Sequence, residues 1–164
     1  MGGRRTVNDS GAPKGRGQKA QGPSRRGLAR RLTVQALYHW LVNEAPAEQI
    51  LREFREDPGL GRADGNYFDE LLRAITADVT HITQTFAPHL DRPLEELDPT
   101  ERAILLVGTF ELMAKPDVPW RVVVNESVNL TKMFGGVDES YRFVNGVLDR
   151  VAHDVRAEHV RAGL

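Results

Sequence analysis

Cysteine is absent from the 164 residues, which excludes a disulfide framework, a cysteine–zinc cluster, a thiol nucleophile and an iron–sulfur centre. The absence fits a reducing compartment. No stretch approaches the roughly 18 consecutive apolar residues that a membrane span needs. The basic N-terminus has no apolar segment behind it, so it does not read as a secretory signal. Its arginines and scarcity of acid leave an organelle transit peptide as an alternative, weakened by abundant glycine and little amphipathic order. Enzyme signatures are also missing: there is neither a G-x-x-x-x-G-K-[ST] phosphate loop nor a G-x-S-x-G elbow. Gly59-Leu60-Gly61 opens like a dinucleotide fingerprint, but the third glycine falls at Gly65 and no strand precedes it, so the segment reads as a loop. His39, His81, His89, His153 and His159 form no pair at the three- or four-residue spacing of metal ligands. No cofactor and no metal is expected.

What the chain does have is charge, unevenly placed. The formal net charge is −1. Residues 1–31 nevertheless hold nine Lys and Arg against the single acid Asp9, a surplus of eight, which leaves the remainder at −9. A basic arm on an acidic body points to a polyanionic partner. Arginine outnumbers lysine by 18 to 4, and guanidinium forks grip phosphates and stack on bases. A solvated tail with an Arg-rich codon preference is the plainer alternative.

Residues 1–27, with seven glycines and almost no apolar side chain, are expected to stay disordered because they cannot bury enough surface to offset their ordering entropy. A domain over 28–160 follows. Leu28, Leu32, Ala36, Leu37, Trp40 and Leu41 fall on one helical stripe, with Arg30, Arg31 and Gln35 facing elsewhere. Pro46 opens a short second helix. Phe68, Leu71, Leu72, Ile75, Val79, Ile82 and Phe86 predict a single long third one. Asp98-Pro99-Thr100-Glu101 has the pattern of a capping box before Ala103–Met113, apolar nearly all round and so buried on most sides. Gly108 inside that run implies the close approach of a crossing helix. Val122-Val123-Val124 favours strand, but Val123, Ser127, Leu130 and Phe134 keep a helical period. Gly135-Gly136 ends that helix, and Asp138 is expected to cap a last one carrying Val144, Val147, Leu148, Val151 and Val155 inward. The prediction is an all-α, single orthogonal helical bundle of six or seven helices.

Aromatic and amide groups accompany the charge. Tyr38, His39 and Trp40 lie within three turns of Arg30, and Tyr141-Arg142-Phe143-Val144-Asn145-Gly146 opens the last helix. Exposed aromatics beside Arg and Asn suit stacking on, and hydrogen bonding to, unpaired bases. Periodicity alone leaves Phe143 equally open to closing the edge of the core. A protein-interaction module with a solubilising tail is the rival to a nucleic-acid binder.

Six blocks, in order, resemble one family. Arg30-Arg31-Leu32 with Val34–Tyr38 and Trp40 resembles the first helix of the NusB family of bacterial transcription antitermination factors. The likeness continues through Tyr67–Leu71, Pro88–Leu94, Leu97-Asp98-Pro99 with Glu101–Leu105, and Asp117-Val118-Pro119 with Val124-Asn125-Glu126. It ends in Phe143–Asp149. The chain departs from the family pattern at Leu106, at Tyr141-Arg142 and at Gly27-Leu28. The resemblance implies a non-enzymatic, cytoplasmic RNA-binding factor. Such a factor recognises single-stranded boxA RNA of ribosomal RNA leaders together with the small-subunit ribosomal protein NusE. Other Nus factors and RNA polymerase would be reached indirectly, and no membrane is involved. Carried over residue by residue, the RNA site would comprise Arg25, Arg26, Arg30, Gln35, Tyr38, Arg142, Phe143 and Asn145. Glu101 would lie at the ribosomal-protein contact, where an acidic body suits a basic partner.

Overall fold

The computed structural model describes residues 24–163; the arm expected over 1–27 lies outside them as far as residue 23. The helices run α1 (Arg25–Asn43), α2 (Ala47–Arg55), α3 (Gly65–Ala77), α4 (Val79–Phe86), α5 (Pro99–Ala114), α6 (Trp120–Met133), α7 (Asp138–Val155) and α8 (Ala157–Arg161). Among the described residues there is no strand, and no helix is long and apolar enough to cross a membrane. The all-α expectation holds. Among the described residues the count rises to eight, because the expected third helix is two and the five-residue α8 was not anticipated.

α5 is the axle of the domain. It packs against α1, α3, α4, α6 and α7, and its residues Ala103 to Thr109 and Leu112 are buried. That is why Ile104-Leu105-Leu106-Val107 is apolar on every side. Gly108 is where the close approach occurs: a Cβ there would lie 2.8 Å from Leu148 Cδ1 on α7 and 2.9 Å from Ser127 Oγ on α6. Leu148 is fully buried and has nowhere to swing. Gly108→Val should therefore destabilise the domain by about 1–3 kcal/mol through overpacking, read as a lowered urea midpoint. An unchanged midpoint would mean that α6 and α7 do not close on α5 as described.

Local signals set the helix ends. Ser24 caps α1, its Oγ accepting from Gly27 N at 2.9 Å, so the helix starts three residues before the expected Leu28. Asp98 accepts from Thr100 N at 2.7 Å and Pro99 fills the first position, yet the capping box stays open: Glu101 instead accepts from Ser140 Oγ, 2.5 Å away on α7. The expected Asp138 cap is also replaced, since Val137 holds that position with no side-chain cap bond. α6 ends as predicted. Gly135 takes φ +86°, Gly135 N donates to Lys132 O and Gly136 N to Thr131 O, the paired bonds of a Schellman turn.

The long amphipathic stretch 68–86 bends at Asp78, where φ is −122° and ψ 28°. Its apolar spacing runs on without a break, which is why periodicity merged the two helices. Tertiary contacts divide them instead: α3 lies chiefly on α1 and also meets α2 and α5, whereas α4 lies on α5 and α7. The glycine-rich segment before α3 is also more ordered than a plain loop, with a 3-10 turn over Pro58–Arg62. It is tied to the start of α1 by Asp64 N donating to Arg25 O at 3.0 Å.

Candidate nucleic-acid interface

The start of α1 places four arginines in about two turns, and their surroundings give each a different role. Arg25 is exposed and donates one guanidinium bond to Ala63 O at 3.0 Å. Arg26 is half-exposed, donating to Asp117 Oδ2 at 3.1 Å while its Cζ stands 4.1 Å above the Tyr67 ring, a cation–π contact. The Asp117 carboxyl is held below the ordinary carboxylate range, chiefly by that bond from Arg26. Arg31 is exposed.

Arg30 corrects the helical-stripe reading. It does not face away from the core: it is only 5% exposed, its Nε donating to both carboxylate oxygens of Glu111 on α5 at 2.9 and 3.0 Å. Glu111 is 1% exposed and also accepts from the Tyr67 hydroxyl. Burial, reinforced by the neighbouring Glu111 charge, raises the Tyr67 pKa well above the usual phenol value, so the phenol stays neutral. Burial works to lower the Arg30 pKa, but hydrogen bonding and attraction from Glu111 outweigh it and the net shift is upward. The guanidinium is thus a fixed cation that locks α1 to α5 and offers little to solvent. In a contact with RNA its role is to position Arg25 and Arg26.

Gln35 and Tyr38 sit apart from Arg25 and Arg26. Nine residues separate Gln35 from Arg26, which at 100° per residue puts them on opposite sides of α1. Gln35 shares a groove with Arg31 and Arg62 along the 57–62 turn. Tyr38 is 43% exposed, further along the helix.

The α7 candidates divide in the same way. Phe143 is half-buried against the core, and Arg92 covers a ring face with Cζ 4.2 Å from the centroid. It closes the core edge and stacks on a cation at once. Arg142 lines the same groove, of about 620 Å³, together with His89, Gly146 and Arg150. Asn145 is exposed and opens on the other side, into a cleft against α6. Arg30 and Phe143 are not in contact: Arg30 lies by Glu111, while Phe143 belongs to the α7 segment whose Ser140 reaches Glu101 at the start of α5. Glu101 is half-buried and already hydrogen-bonded.

The charge and aromatic search missed Arg92, Arg121 and Asn125. All three had signals, Arg92 and Asn125 inside the quoted blocks and Arg121 directly after Trp120, but no composition rule marks a single Arg or Asn for a surface role. Arg156 was missed as well. It is 7% exposed and donates to four carbonyls, Leu112 O, Val118 O, Glu111 O and Lys115 O, at 2.5–2.9 Å. Its burial lowers its pKa, and it closes the C-terminus of α5 from the end of α7.

Fold and surface together define a small all-helical domain whose central helix packs against both the helix with the basic start and the helix that carries cationic, aromatic and amide groups. The profile of the NusB family matches residues 28–153. A transcription antitermination protein NusB from Ralstonia pickettii is 47% identical over 144 residues, covering 88% of this chain and 92% of that protein. One from a Marinomonas species is 42% identical over 160 residues, covering 96% of this chain and 91% of that protein. The chain belongs to the NusB family. Among solved structures, Thermotoga maritima NusB matches with a TM-score of 0.70 at 26% identity, covering 86% of this chain and 99% of that one. A structure of NusB and NusE in complex with double-stranded RNA matches in fold, with a TM-score of 0.72 at 24% identity over 79% of this chain and 97% of that one.

Proposed function

We propose that this protein is a non-enzymatic, cytoplasmic transcription antitermination factor that binds boxA RNA of nascent ribosomal RNA leaders jointly with the ribosomal protein NusE. It would act within a complex on RNA polymerase that includes other Nus factors. The observation that carries the reading is the arginine cluster at the start of α1, held in place from behind by the buried Arg30–Glu111 pair, in a chain whose family is that of named antitermination proteins. Arg25 and Arg26 contact phosphates there, and Arg142, Asn145 and Tyr38 supply the cation, amide and aromatic face that unpaired bases take up. Because Phe143 is roofed by Arg92, a base arriving there stacks on the guanidinium rather than on the ring. Glu101 and the acidic body offer the surface for a basic ribosomal protein.

The test is binding of the full chain with NusE to a boxA oligonucleotide, a scrambled strand and a duplex, across a salt series. A preference for single-stranded boxA is expected. Arg26→Ala should reduce affinity for every sequence and lessen the salt slope by about 0.7, the share of one single-strand phosphate. Equal binding to boxA and scrambled strands would overturn the reading and favour a protein-interaction module; preference for the duplex would replace base contacts with recognition of helix shape.

A further inference from the structure

Between α6 and α7 runs a small cleft that neither charge nor periodicity pointed to. Arg121, Val124 and Asn125 on α6 and Asn145 and Asp149 on α7 line it, with Trp120 at its edge, and its volume is about 240 Å³. That is below the roughly 300–1,000 Å³ of pockets for drug-sized ligands and on the scale of one planar ring. Its chemistry is unlike the rest of the surface. Asn125 and Asn145 are both exposed, each offering an amide donor and a carbonyl acceptor. Asp149 adds an acceptor and Arg121 a donor, the latter with Cζ 4.6 Å over the Trp120 ring. Trp120 is 5% exposed, and its indole N–H has no acceptor among the described residues. Its indole nitrogen is sealed from solvent, so Trp120 serves the cleft as an apolar edge, and the exposed amides and Arg121 supply its donors.

Position gives the cleft its occupant. Asp117, just ahead of α6, pairs with Arg26, and Glu126, next to Asn125, stands 3.7 Å from Arg30. The first two turns of α6 therefore border the arginine cluster, while Asn145 lies one turn from Arg142. An RNA strand that contacts both Arg26 and Arg142 would run beside this cleft. We propose that the cleft receives a single unpaired RNA base by its edge, with Asn125 and Asn145 as the reading groups. The base would be one that sets a carbonyl oxygen beside an N–H, as guanine and uracil do: the carbonyl answers the amide donors, and the N–H answers Asp149. This rests on the RNA-binding reading above and adds to it a sequence-reading position distinct from the phosphate contacts.

The experiment uses the full chain with NusE and a panel of boxA oligonucleotides, each changed at one base, against wild type, Asn125→Ala and Asn145→Ala. Both side chains are exposed, and thermal melts confirm that the variants stay folded. The expected result is that each variant loses roughly tenfold of discrimination at one shared guanine or uracil position, with discrimination elsewhere and the salt slope unchanged. Unaltered selectivity at every position overturns the proposal, and so does a uniform loss across the panel, which would make the amides general contacts. A wild-type complex without any sequence preference would remove the RNA reading itself, and the cleft's role with it.

Discussion

Glu111→Ala is expected to lower the stability of the domain by about 3–5 kcal/mol, the usual consequence of removing the hydrogen-bonded partner of a buried charge, with only the more distant, half-exposed Glu126 left to Arg30. Arg30 and Glu111 are 5% and 1% exposed, so water cannot replace the lost carboxylate, and the Tyr67 hydroxyl loses its acceptor in the same step. Chemical denaturation reads this as a midpoint shift with little change of slope. Glu111→Gln keeps an acceptor for Tyr67 and should cost less. Arg30→Met combined with Glu111→Leu removes both charges and should recover much of the loss, because a buried pair adds little over apolar side chains of similar volume. An alanine variant as stable as wild type would show that α1 is not locked to α5 through this pair. The consequence for function is local: without the lock, the turn carrying Arg25 and Arg26 loses its fixed attachment to α5.

Arg156→Ala comes next in size, at roughly 3–4 kcal/mol. Four carbonyls lose a charged donor at once, hydrogen bonds to charged groups contribute about 1.5–3 kcal/mol each, and relaxation and water recover part of the total. Arg156→Lys should restore only a fraction, since one ammonium cannot copy the planar fork that spans these oxygens. Thermal unfolding distinguishes the two variants. If lysine matched arginine, charge at the end of α5 would be what matters and the shape of the donor would not.

Much of the architecture was legible because the core obeys a simple period. Leu71, Leu72 and Ile75, or Val144, Val147, Leu148 and Val151, declare their buried faces by spacing alone, and Gly108 declared the helix crossing. The bend at Asp78 was not legible, because the apolar spacing from Ile75 through Val79 to Ile82 is what an unbroken helix would also show. The site was legible as composition and less so as geometry. Arg30 belongs to the same basic run as Arg26 and Arg31, and only the fold reveals that it turns inward. A hint was available: Glu111 is an acid inside an otherwise apolar segment, and a buried carboxylate demands a buried cation. The separation of Gln35 from Arg26 could have been computed from helical phase. Arg156 could not, since backbone carbonyls leave no mark in a sequence.

RNA bound by this protein is expected to run from the start of α1 to the first half of α7. Photo-crosslinking of a boxA oligonucleotide to the NusE-bound full chain, followed by mapping of the modified peptides, tests it most directly. Adducts are expected in the peptides that carry Arg25–Tyr38 and Arg142–Asp149. Adducts confined to α2, α3 or α8, with both of those segments unmodified, would contradict it.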